Sequence, residues 1–334
     1  MSTYTATTKT MTAWRQHRYG GADAVAAETV PVPVPRAGEV LVRVDAVSIN
    51  SGDIHLMQGE PRLVRLFLGL RRPRVAGRGM DLAGTVVALG ADVTGLRVGD
   101  RVVGAHQDTL AEFVAVPQKR LSAIPAEVST TDAAALPIAG NTALTVLDRY
   151  GVGKDSRVLV VGAGGGVGTL TVQLAAALGA EVWATCGARA EETLRRLGAA
   201  RTFDYRTTDL ADLPADHFDV VVDIAGLQPL TLLRGLLRRG GKVALVGGDG
   251  GRVLGPVGRI LRSLFVGRPG RRFVPITAVT KTPVTERLLA EAASGRLTPV
   301  IERTFAFEDA SAALAHVEAG RTVGKVLVRG AHAG

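Results

Sequence analysis

The pattern of hydrophobic and polar positions changes near residue 132. Before that point, short apolar or alternating runs are separated by turn signals such as Ala37-Gly38 and Val98-Gly99-Asp100. Runs of this length between glycine-containing turns are typical of strands. The predicted strands of this part cover residues 40–47, 82–89, 101–104 and 113–116. We therefore predict a compact β domain for this part of the chain.

After residue 132, short apolar runs alternate with stretches of helical periodicity. The predicted strands cover residues 158–161, 181–185, 202–204, 220–224, 242–246 and 273–279. The predicted helices between them cover residues 167–178, 190–197 and 229–237. Repeated strand–helix–strand units at this spacing predict an α/β fold with a doubly wound parallel sheet. Two helices (285–293 and 310–317) and a strand (325–328) are predicted after it.

A glycine-rich turn follows the first of these strands. Residues 158–168 read Val-Leu-Val-Val-Gly-Ala-Gly-Gly-Gly-Val-Gly, and a helical pattern starts at once. Glycines let the backbone approach a pyrophosphate, whose negative charge is favoured by the free N–H groups and the dipole at a helix start. The pattern predicts a dinucleotide-binding turn, and the alternative is a tight turn without a ligand.

The second strand of the unit indicates which dinucleotide binds. Selection of NAD usually requires an Asp or Glu about 20 residues after the glycines, where it binds the ribose 2′-hydroxyl. Here Glu181 opens the strand, at the wrong end, and Cys186-Gly187-Ala188-Arg189 follows it. A guanidinium is suited to a 2′-phosphate. We therefore predict NADP(H); in the alternative, Arg189 is a solvated residue that opens the next helix.

Composition narrows the class of protein. The 334 residues are 46% hydrophobic and 4% aromatic, and contain one cysteine, Cys186. No apolar run reaches the length of about 20 residues that a membrane span needs, and the polar start lacks the apolar core of a secretory signal. One cysteine excludes an intrachain disulfide framework and a multi-cysteine zinc site. We expect a cytoplasmic protein.

Arginine gives the chain a formal net charge of +9. It is concentrated in residues 61–74 and 252–272, where it alternates with leucine, valine and phenylalanine. Neither segment has the aromatic pairs on which bases stack, so a nucleic acid partner is not expected. One interpretation is a solvated arginine face on helices whose apolar side packs inward. The other is attraction of an anionic cofactor or substrate.

Several motifs, in this order, resemble the medium-chain dehydrogenase/reductase superfamily, and within it the zinc-independent quinone oxidoreductase branch that includes zeta-crystallin. They are Ser48-Ile49-Asn50-Ser51-Gly52-Asp53, Gly99-Asp100-Arg101-Val102, Gly140-Asn141-Thr142-Ala143-Leu144, the glycine run 162–168 and Gly324-Lys325-Val326. The similarity covers nearly everything from Met11 to Arg329.

The resemblance implies a GroES-like β domain (11–131, completed by 281–334), a Rossmann domain (132–280) and an N-terminal extension (1–10). It also implies an active site in the cleft between the domains, and a homodimer. Where zinc-dependent relatives have their ligands, this chain has Ser51, Met80 and Asp81. A serine and a thioether do not form a tetrahedral zinc site, so no metal is expected.

Without a Lewis acid, the expected reaction is NADPH-dependent reduction of an electron-poor acceptor, a quinone or an α,β-unsaturated carbonyl. The resemblance places Asn50 and His55 at the nicotinamide end, Asn50 to bind a substrate oxygen and His55 to donate a proton. In the alternatives, Asn50 only terminates a strand and His55 is a loop histidine. Asp53 is expected to accept backbone N–H groups.

The resemblance also assigns the cofactor contacts. Thr142 is expected near the nicotinamide ribose, and Lys325 beside the cofactor unless it is a surface lysine. The pyrophosphate is expected at Gly164, Gly165, Gly166 and Val167. The adenosine phosphate is expected at Gly187, Arg189 and Tyr205, and the nicotinamide at Gly247 and Gly248. The rival hypothesis is a non-catalytic NADPH-binding protein that contacts RNA or anionic lipid through its basic surface.

Overall fold

The computed structural model describes residues 10–247, 256–276 and 279–332. Two compact units divide the chain. Unit 1 contains residues 1–59, 64–138 and 280–334, and unit 2 contains residues 60–63 and 139–279. The predicted domain boundaries at 131/132 and 280/281 lie near these divisions and stay predictions, as does the extension 1–10, which lies almost entirely outside the described residues.

Unit 1 is built mainly from strands. Its strands are β1 (Thr10–Gln16), β2 (Val25–Pro31), β3 (Glu39–Ile49), β4 (Asp81–Leu89), β5 (Arg101–Ala105), β6 (Phe113–Pro117), β7 (Leu121–Ala123), β14 (Ile301–Phe305) and β15 (Lys325–Arg329). Its helices are α1 (Ser51–Gln58), α2 (Arg65–Leu68), α3 (Thr130–Ala134), α9 (Thr282–Ala293) and α10 (Ala310–Glu318). The predicted β domain is confirmed.

The C-terminal strands complete the larger sheet of unit 1. Its order is β14-β15-β3-β4-β5-β7, and β6 also pairs with β3. Strand β15 runs antiparallel to β3 and places Val326 opposite Ile49. The N-terminal strand is tied to the same segment, because Trp14 Nε1 donates to the carbonyl oxygen of Phe307 over 2.9 Å. Residues almost 300 positions apart therefore share one core.

Unit 2 contains the predicted parallel sheet. Its strands are β8 (Arg157–Val161), β9 (Glu181–Cys186), β10 (Arg201–Asp204), β11 (Phe218–Asp223), β12 (Leu237–Leu245) and β13 (Arg272–Pro275). Its helices are α4 (Pro137–Tyr150, which begins in unit 1), α5 (Gly166–Ala177), α6 (Ala188–Arg196), α7 (Leu230–Leu236) and α8 (Pro256–Val266).

Every pairing within this sheet is parallel, in the order β10-β9-β8-β11-β12-β13. The order reverses between β8 and β11, as it does in dinucleotide-binding folds. The α/β fold class, a GroES-like unit plus a Rossmann doubly wound sheet, is confirmed. Strand β13 is shorter than predicted: it ends at Pro275, and residues 277–278 lie outside the described residues.

The two arginine-rich segments differ from the expectation that their apolar side packs inward. In α8, Leu261, Leu264 and Phe265 are 54%, 70% and 89% exposed. The inner face instead holds Arg259, whose guanidinium pairs over 2.6 Å with the fully buried carboxylate of Asp223. A buried carboxylate without a cation is strongly destabilising, so the position on the inner face is occupied by an arginine and not by a leucine. Residues 252–255 lie outside the described residues.

In the segment 61–74, too, an arginine points inward while neighbouring apolar side chains are exposed. Helix α2 directs Arg65 inward, where its Nε and Nη2 donate to the carbonyl oxygens of Gly59 and Gln58, both over 2.9 Å. Leu66 and Phe67 are 56% and 76% exposed. Backbone carbonyls that end α1 are satisfied by this arginine, and the neighbouring apolar side chains are left outside. The expected inward apolar side is therefore only partly present: Val266 of α8 packs against the core of unit 2 and Leu68 of α2 is half-buried, whereas the other apolar side chains named here are exposed.

Candidate functional site

The turn between β8 and α5 has the geometry of an anion cradle. Gly162 adopts a left-handed conformation (φ 84°), and its N–H donates to Thr185 Oγ1 over 3.1 Å. Gly165 is the N-cap of α5, and a Cβ added to it would meet no heavy atom within 4 Å. The predicted pyrophosphate contacts Gly164, Gly165, Gly166 and Val167 therefore lie together around an open helix start.

The last glycine of the run has a different task. A Cβ on Gly168 would lie 2.4–2.6 Å from the backbone of Ala163. Helix α5 thus crosses the turn so closely that only glycine fits there. Gly168 allows the close packing of α5 against the turn, whereas Gly165 leaves space for an anion at the start of the helix.

The ends of β9 and β10 meet in the second part of the candidate site. Gly187 is the N-cap of α6, and Arg189 is an exposed residue in the first turn of that helix. The N–H of Tyr205, which follows β10, donates to the carbonyl oxygen of Cys186 over 3.0 Å. Glu181 lies at the opposite end of β9. Gly187 and Tyr205 are therefore neighbours, and Arg189 follows Gly187 by two residues; their contact with a cofactor stays a prediction.

Sequence reasoning missed Arg206. Its guanidinium lies 4.7 Å from the centre of the Tyr205 ring, and a Cβ on Gly187 would lie 3.1 Å from its Nη1. The signal was available, because Arg206 directly follows Tyr205 at the end of a parallel strand. Arg206 thus joins Arg189, in the first turn of α6, as a candidate residue at this end of the sheet.

The remaining predicted cofactor residues of unit 2 have separate positions. Thr142 is buried within α4. Gly247 follows β12, its N–H donates to the carbonyl oxygen of Asp223 over 3.4 Å, and a Cβ on it would lie 2.4 Å from the carbonyl oxygen of Ile224. Glycine is therefore required at position 247 by the close approach of the backbone. Gly248 lies outside the described residues.

In unit 1, Asn50 and Lys325 are in direct contact. Asn50 terminates β3 and is the N-cap of α1, and its Oδ1 accepts from Lys325 Nζ over 2.6 Å. Its Nδ2 donates to Asp81 Oδ2 over 2.9 Å and to the carbonyl oxygen of Ser48 over 3.3 Å. Asp81 Oδ1 also accepts from the N–H of Ile138 over 3.2 Å.

These polar groups are almost completely removed from solvent. Lys325 is 4% exposed, Asn50 8%, Asp53 1% and Asp81 not at all. The alternative interpretation of Lys325 as a surface lysine is therefore wrong. Lys325 Nζ lies 3.9 Å from Asp81 Oδ2, so the ammonium and the carboxylate compensate each other within a network whose members are all hydrogen-bonded.

Burial dominates the titration of this network. It raises the pKa of Asp81 from 3.8 to about 6, although Lys325 opposes the shift. It raises the pKa of Asp53 to about 7, with the Asn50 N–H as the main opposing influence, and it lowers the pKa of Lys325. Asp53 Oδ2 accepts from the Asn50 N–H over 2.8 Å, which agrees with its expected structural role.

His55 has a different environment. It lies on α1 between buried residues, but its own side chain is exposed. Among the described side chains, Asn50, Asp81 and Lys325 form their hydrogen bonds without it. The structure brings together Asn50 and Lys325 but leaves His55 at the surface of the helix.

Comparison with known proteins identifies the family. Residues 36–126 match the alcohol dehydrogenase GroES-like domain, and residues 197–328 match a family described as zinc-binding dehydrogenase. The chain is 33% identical to a chloroplast envelope quinone oxidoreductase homolog of Arabidopsis thaliana, with 96% of this chain and 98% of that protein covered. The chain belongs to the medium-chain dehydrogenase/reductase superfamily. Within it, the similarity is to the zinc-independent quinone oxidoreductase branch.

Further relatives agree with this placement in the medium-chain superfamily. The chain is 31% identical to a chloroplastic protein of Arabidopsis thaliana named NADPH-dependent alkenal/one oxidoreductase, with 96% and 80% of the two chains covered. The structure of the quinone oxidoreductase from Coxiella burnetii superposes with a TM-score of 0.84 at 27% identity, and covers 96% of this chain and 99% of that one.

The matched family is described as zinc-binding, but the described side chains of this medium-chain dehydrogenase do not provide a set of zinc ligands. Within residues 10–247, 256–276 and 279–332, no three His, Cys, Asp or Glu side chains are grouped to hold a metal ion. Asp81, the one carboxylate at the positions predicted to match zinc ligands, is bonded to Asn50 and the Ile138 N–H and lies near the Lys325 ammonium. These residues do not fit a tetrahedral zinc site.

Proposed function

We propose that this protein reduces a quinone or an α,β-unsaturated carbonyl with NADPH, without the help of zinc. The observation that carries the proposal is the end of β9, where Gly187 is flanked by Arg189 and Arg206 and the only acid of the strand, Glu181, lies at the far end. Guanidinium groups suit a 2′-phosphate. The names of the relatives, quinone oxidoreductase and NADPH-dependent alkenal/one oxidoreductase, support the same reaction.

Each part of unit 2 has a proposed role. The N–H groups of residues 164–167 hold the pyrophosphate, and Arg189, Tyr205 and Arg206 hold the phosphorylated ribose. Thr142 contacts the nicotinamide ribose, and Gly247 and Gly248 let the backbone pass beneath the ring. NADPH, when bound, supplies the hydride.

Unit 1 supplies the polar group for the substrate oxygen. Both Nδ2 hydrogens of Asn50 are engaged by Asp81 and Ser48, so we assign Asn50 as a positioning residue for Lys325. The ammonium of Lys325 has three donors, of which Asn50 takes one. Lys325 is therefore our first candidate to bind the developing oxyanion, and the exposed His55 is the second candidate for proton donation.

The residues at the positions of the zinc ligands indicate the class of substrate. Because the residues at the zinc positions do not form a Lewis acid site, the substrate has to be electrophilic in itself. Quinones and conjugated carbonyls meet that condition, whereas simple alcohols do not. The work of the protein is to hold the acceptor against the cofactor and to exclude water.

The test is an assay of cofactor oxidation with phenanthrenequinone and a panel of enones. We expect turnover with NADPH and much less with NADH, and metal analysis of the dialysed protein is expected to find far less than one transition ion per chain. No turnover over the whole panel, a preference for NADH, or a stoichiometric metal would contradict the proposal. Salt-sensitive binding to RNA or anionic vesicles without turnover would support the non-catalytic rival.

We also propose a homodimer in the cytoplasm. Strand β13 is an edge of the described sheet of unit 2, and an edge strand can pair with another chain. The single cysteine, Cys186, is buried, which suits a reducing compartment, although the two Arabidopsis relatives named above are chloroplast proteins. No helix of the described residues has the length and apolar content of a membrane span. Light scattering tests the homodimer, and fractionation of the cells that produce the protein naturally tests the cytoplasmic location.

A further inference from the structure

A cavity of about 180 Å³ lies within unit 1. Leu56, Leu68 and Met80 contribute apolar walls, and Arg78 contributes a guanidinium. An apolar cavity of about 150 Å³ is large enough to hold benzene. The space therefore suits a molecule of about one aromatic ring with a small polar group.

Arg78 is the unusual member of this wall. It is 6% exposed, and its Nη2 donates to the carbonyl oxygen of Val75 over 2.9 Å. Its Nε has no hydrogen-bond partner among the described residues. Burial lowers the pKa of Arg78, but a guanidinium remains charged in proteins. A buried charge is normally paired, whereas the guanidinium of Arg78, which lines the cavity, has one unused donor and, in the part of the chain that the structure describes, no carboxylate partner.

The acids that line the same cavity do not pair with it. Asp53 uses its carboxyl group to accept the Asn50 N–H, and burial raises its pKa to about 7. Asp108 attracts Arg78, but within the described part of the chain no carboxylate lies within the 4.0 Å of an ion pair with this guanidinium. Arg74 adds a second positive charge at the cavity.

We propose that this cavity binds the carboxylate of a small apolar acid, with the Arg78 guanidinium as its counter-ion. Charge-assisted hydrogen bonds from a guanidinium to a carboxylate are among the strongest in proteins, and Leu56, Leu68 and Met80 surround the apolar body. The site goes beyond the proposed reaction. Its ligand is either the acid end of a carbonyl substrate or a separate small carboxylate.

Calorimetry on the full chain tests the site with benzoate, benzamide and benzyl alcohol at constant ionic strength. The three probes share a ring and differ in charge. We expect benzoate to bind at least about tenfold more tightly than either neutral analogue. Equal affinity for the three probes, or no binding of benzoate up to its solubility limit, would overturn the proposal.

Arg78→Met is expected to abolish the preference for benzoate. Arg74→Met is the matched control, because Arg74 lines the same cavity but is exposed; its effect is expected to stay within about threefold, since solvent screens it. If Arg78→Met does not fold, Leu68→Trp keeps the guanidinium and fills the cavity. Benzoate binding by Leu68→Trp at the wild-type level would then refute the site.

Steady-state inhibition separates the two sources of the carboxylate. Competition of benzoate with the carbonyl acceptor indicates that the cavity receives part of the substrate, and non-competitive inhibition indicates a separate ligand. If the protein has no turnover at all, the proposed function fails, while calorimetry still decides whether the cavity binds an acid.

Discussion

At the scale of single residues, Lys325 belongs to a buried polar network of unit 1 that also contains Asn50 and Asp81. Its ammonium contacts Asn50 and lies near Asp81, so a positive charge is held where only 4% of the residue is exposed. Removal of one member of such a network leaves an uncompensated buried charge, which costs more than the network itself contributes.

Lys325→Met is therefore expected to lower the free energy of unfolding by about 3–5 kcal/mol. Urea denaturation followed by circular dichroism measures the loss. The double variant Lys325→Met with Asp81→Asn is expected to recover part of that stability, because the carboxylate is then neutral. A double variant less stable than Lys325→Met alone would show that the charge of Asp81 is not the cause.

The residues at the end of β9 carry the prediction about cofactor choice. Arg189→Ala is expected to raise the KM for NADPH about tenfold and the KM for NADH less than twofold, since a hydrogen bond to a charged group contributes about 1.5–3 kcal/mol. Arg206→Ala is expected to act in the same direction. Arg195→Ala on the same helix, where Arg195 pairs with Glu191 over 2.6 Å, serves as the control. Equal changes for both cofactors would remove these arginines from the phosphate site.

At the scale of elements, the turn between β8 and α5 combines two glycines with different tasks. Gly168 lets the helix approach the strand, and Gly165 leaves room at the start of the helix. Substitution of each glycine by alanine therefore tests the two tasks separately: one substitution affects folding and the other affects cofactor binding.

Gly168→Ala is expected to cost about 2 kcal/mol or more of stability, because the added Cβ would overlap the backbone of Ala163. Gly165→Ala is expected to fold with nearly unchanged stability and to bind NADPH at least about tenfold more weakly, because its methyl group occupies the space left for phosphate. Thermal unfolding and fluorescence titration with NADPH measure the two effects. Unchanged NADPH affinity in Gly165→Ala would mean that the pyrophosphate lies elsewhere.

Elements differ in how far the sequence determines them. Continuous apolar runs such as residues 158–161 predict buried parallel strands correctly, because both faces of the strand are covered. In α8, Arg259 turns inward to Asp223, which lies 36 residues away in sequence. In α2, Arg65 turns inward to the nearby carbonyl oxygens of Gly59 and Gln58, which a helical pattern does not reveal as acceptors. The burial of Lys325 was equally hidden, because its partners Asn50 and Asp81 are far from it in sequence. Local periodicity carries no information about such distant partners.

At the scale of the whole molecule, two buried carboxyl groups make stability depend on pH. The pKa of Asp53 rises from 3.8 to about 7 on folding, so between about pH 4 and pH 7 the folded protein holds a proton that the unfolded chain has lost. The contribution of Asp53 to the free energy of unfolding is therefore fully present below this range, falls as the pH rises through it, and is lost above it.

Asp53→Asn is expected to flatten this dependence, because the amide cannot ionise and its oxygen can still accept the Asn50 N–H. The shift corresponds to at most about 4 kcal/mol between the two ends of the range. Urea denaturation at about pH 5 and about pH 8 compares the variant with the wild type. The free energy of unfolding of the variant is still expected to fall somewhat with pH, since burial also raises the pKa of Asp81, to about 6. An unchanged pH dependence in Asp53→Asn would exclude Asp53 as its source.

The pairing of β15 with β3 has a consequence for biosynthesis. As the polypeptide leaves the ribosome, the strands and helices between residues 139 and 279 are complete well before residues 325–329 are made. The nucleotide-binding half can therefore reach its native state during translation. The other half has to wait for β15, and during that interval the backbone amides and carbonyls of β3 that pair with it, at residues 46–49, face solvent or a chaperone.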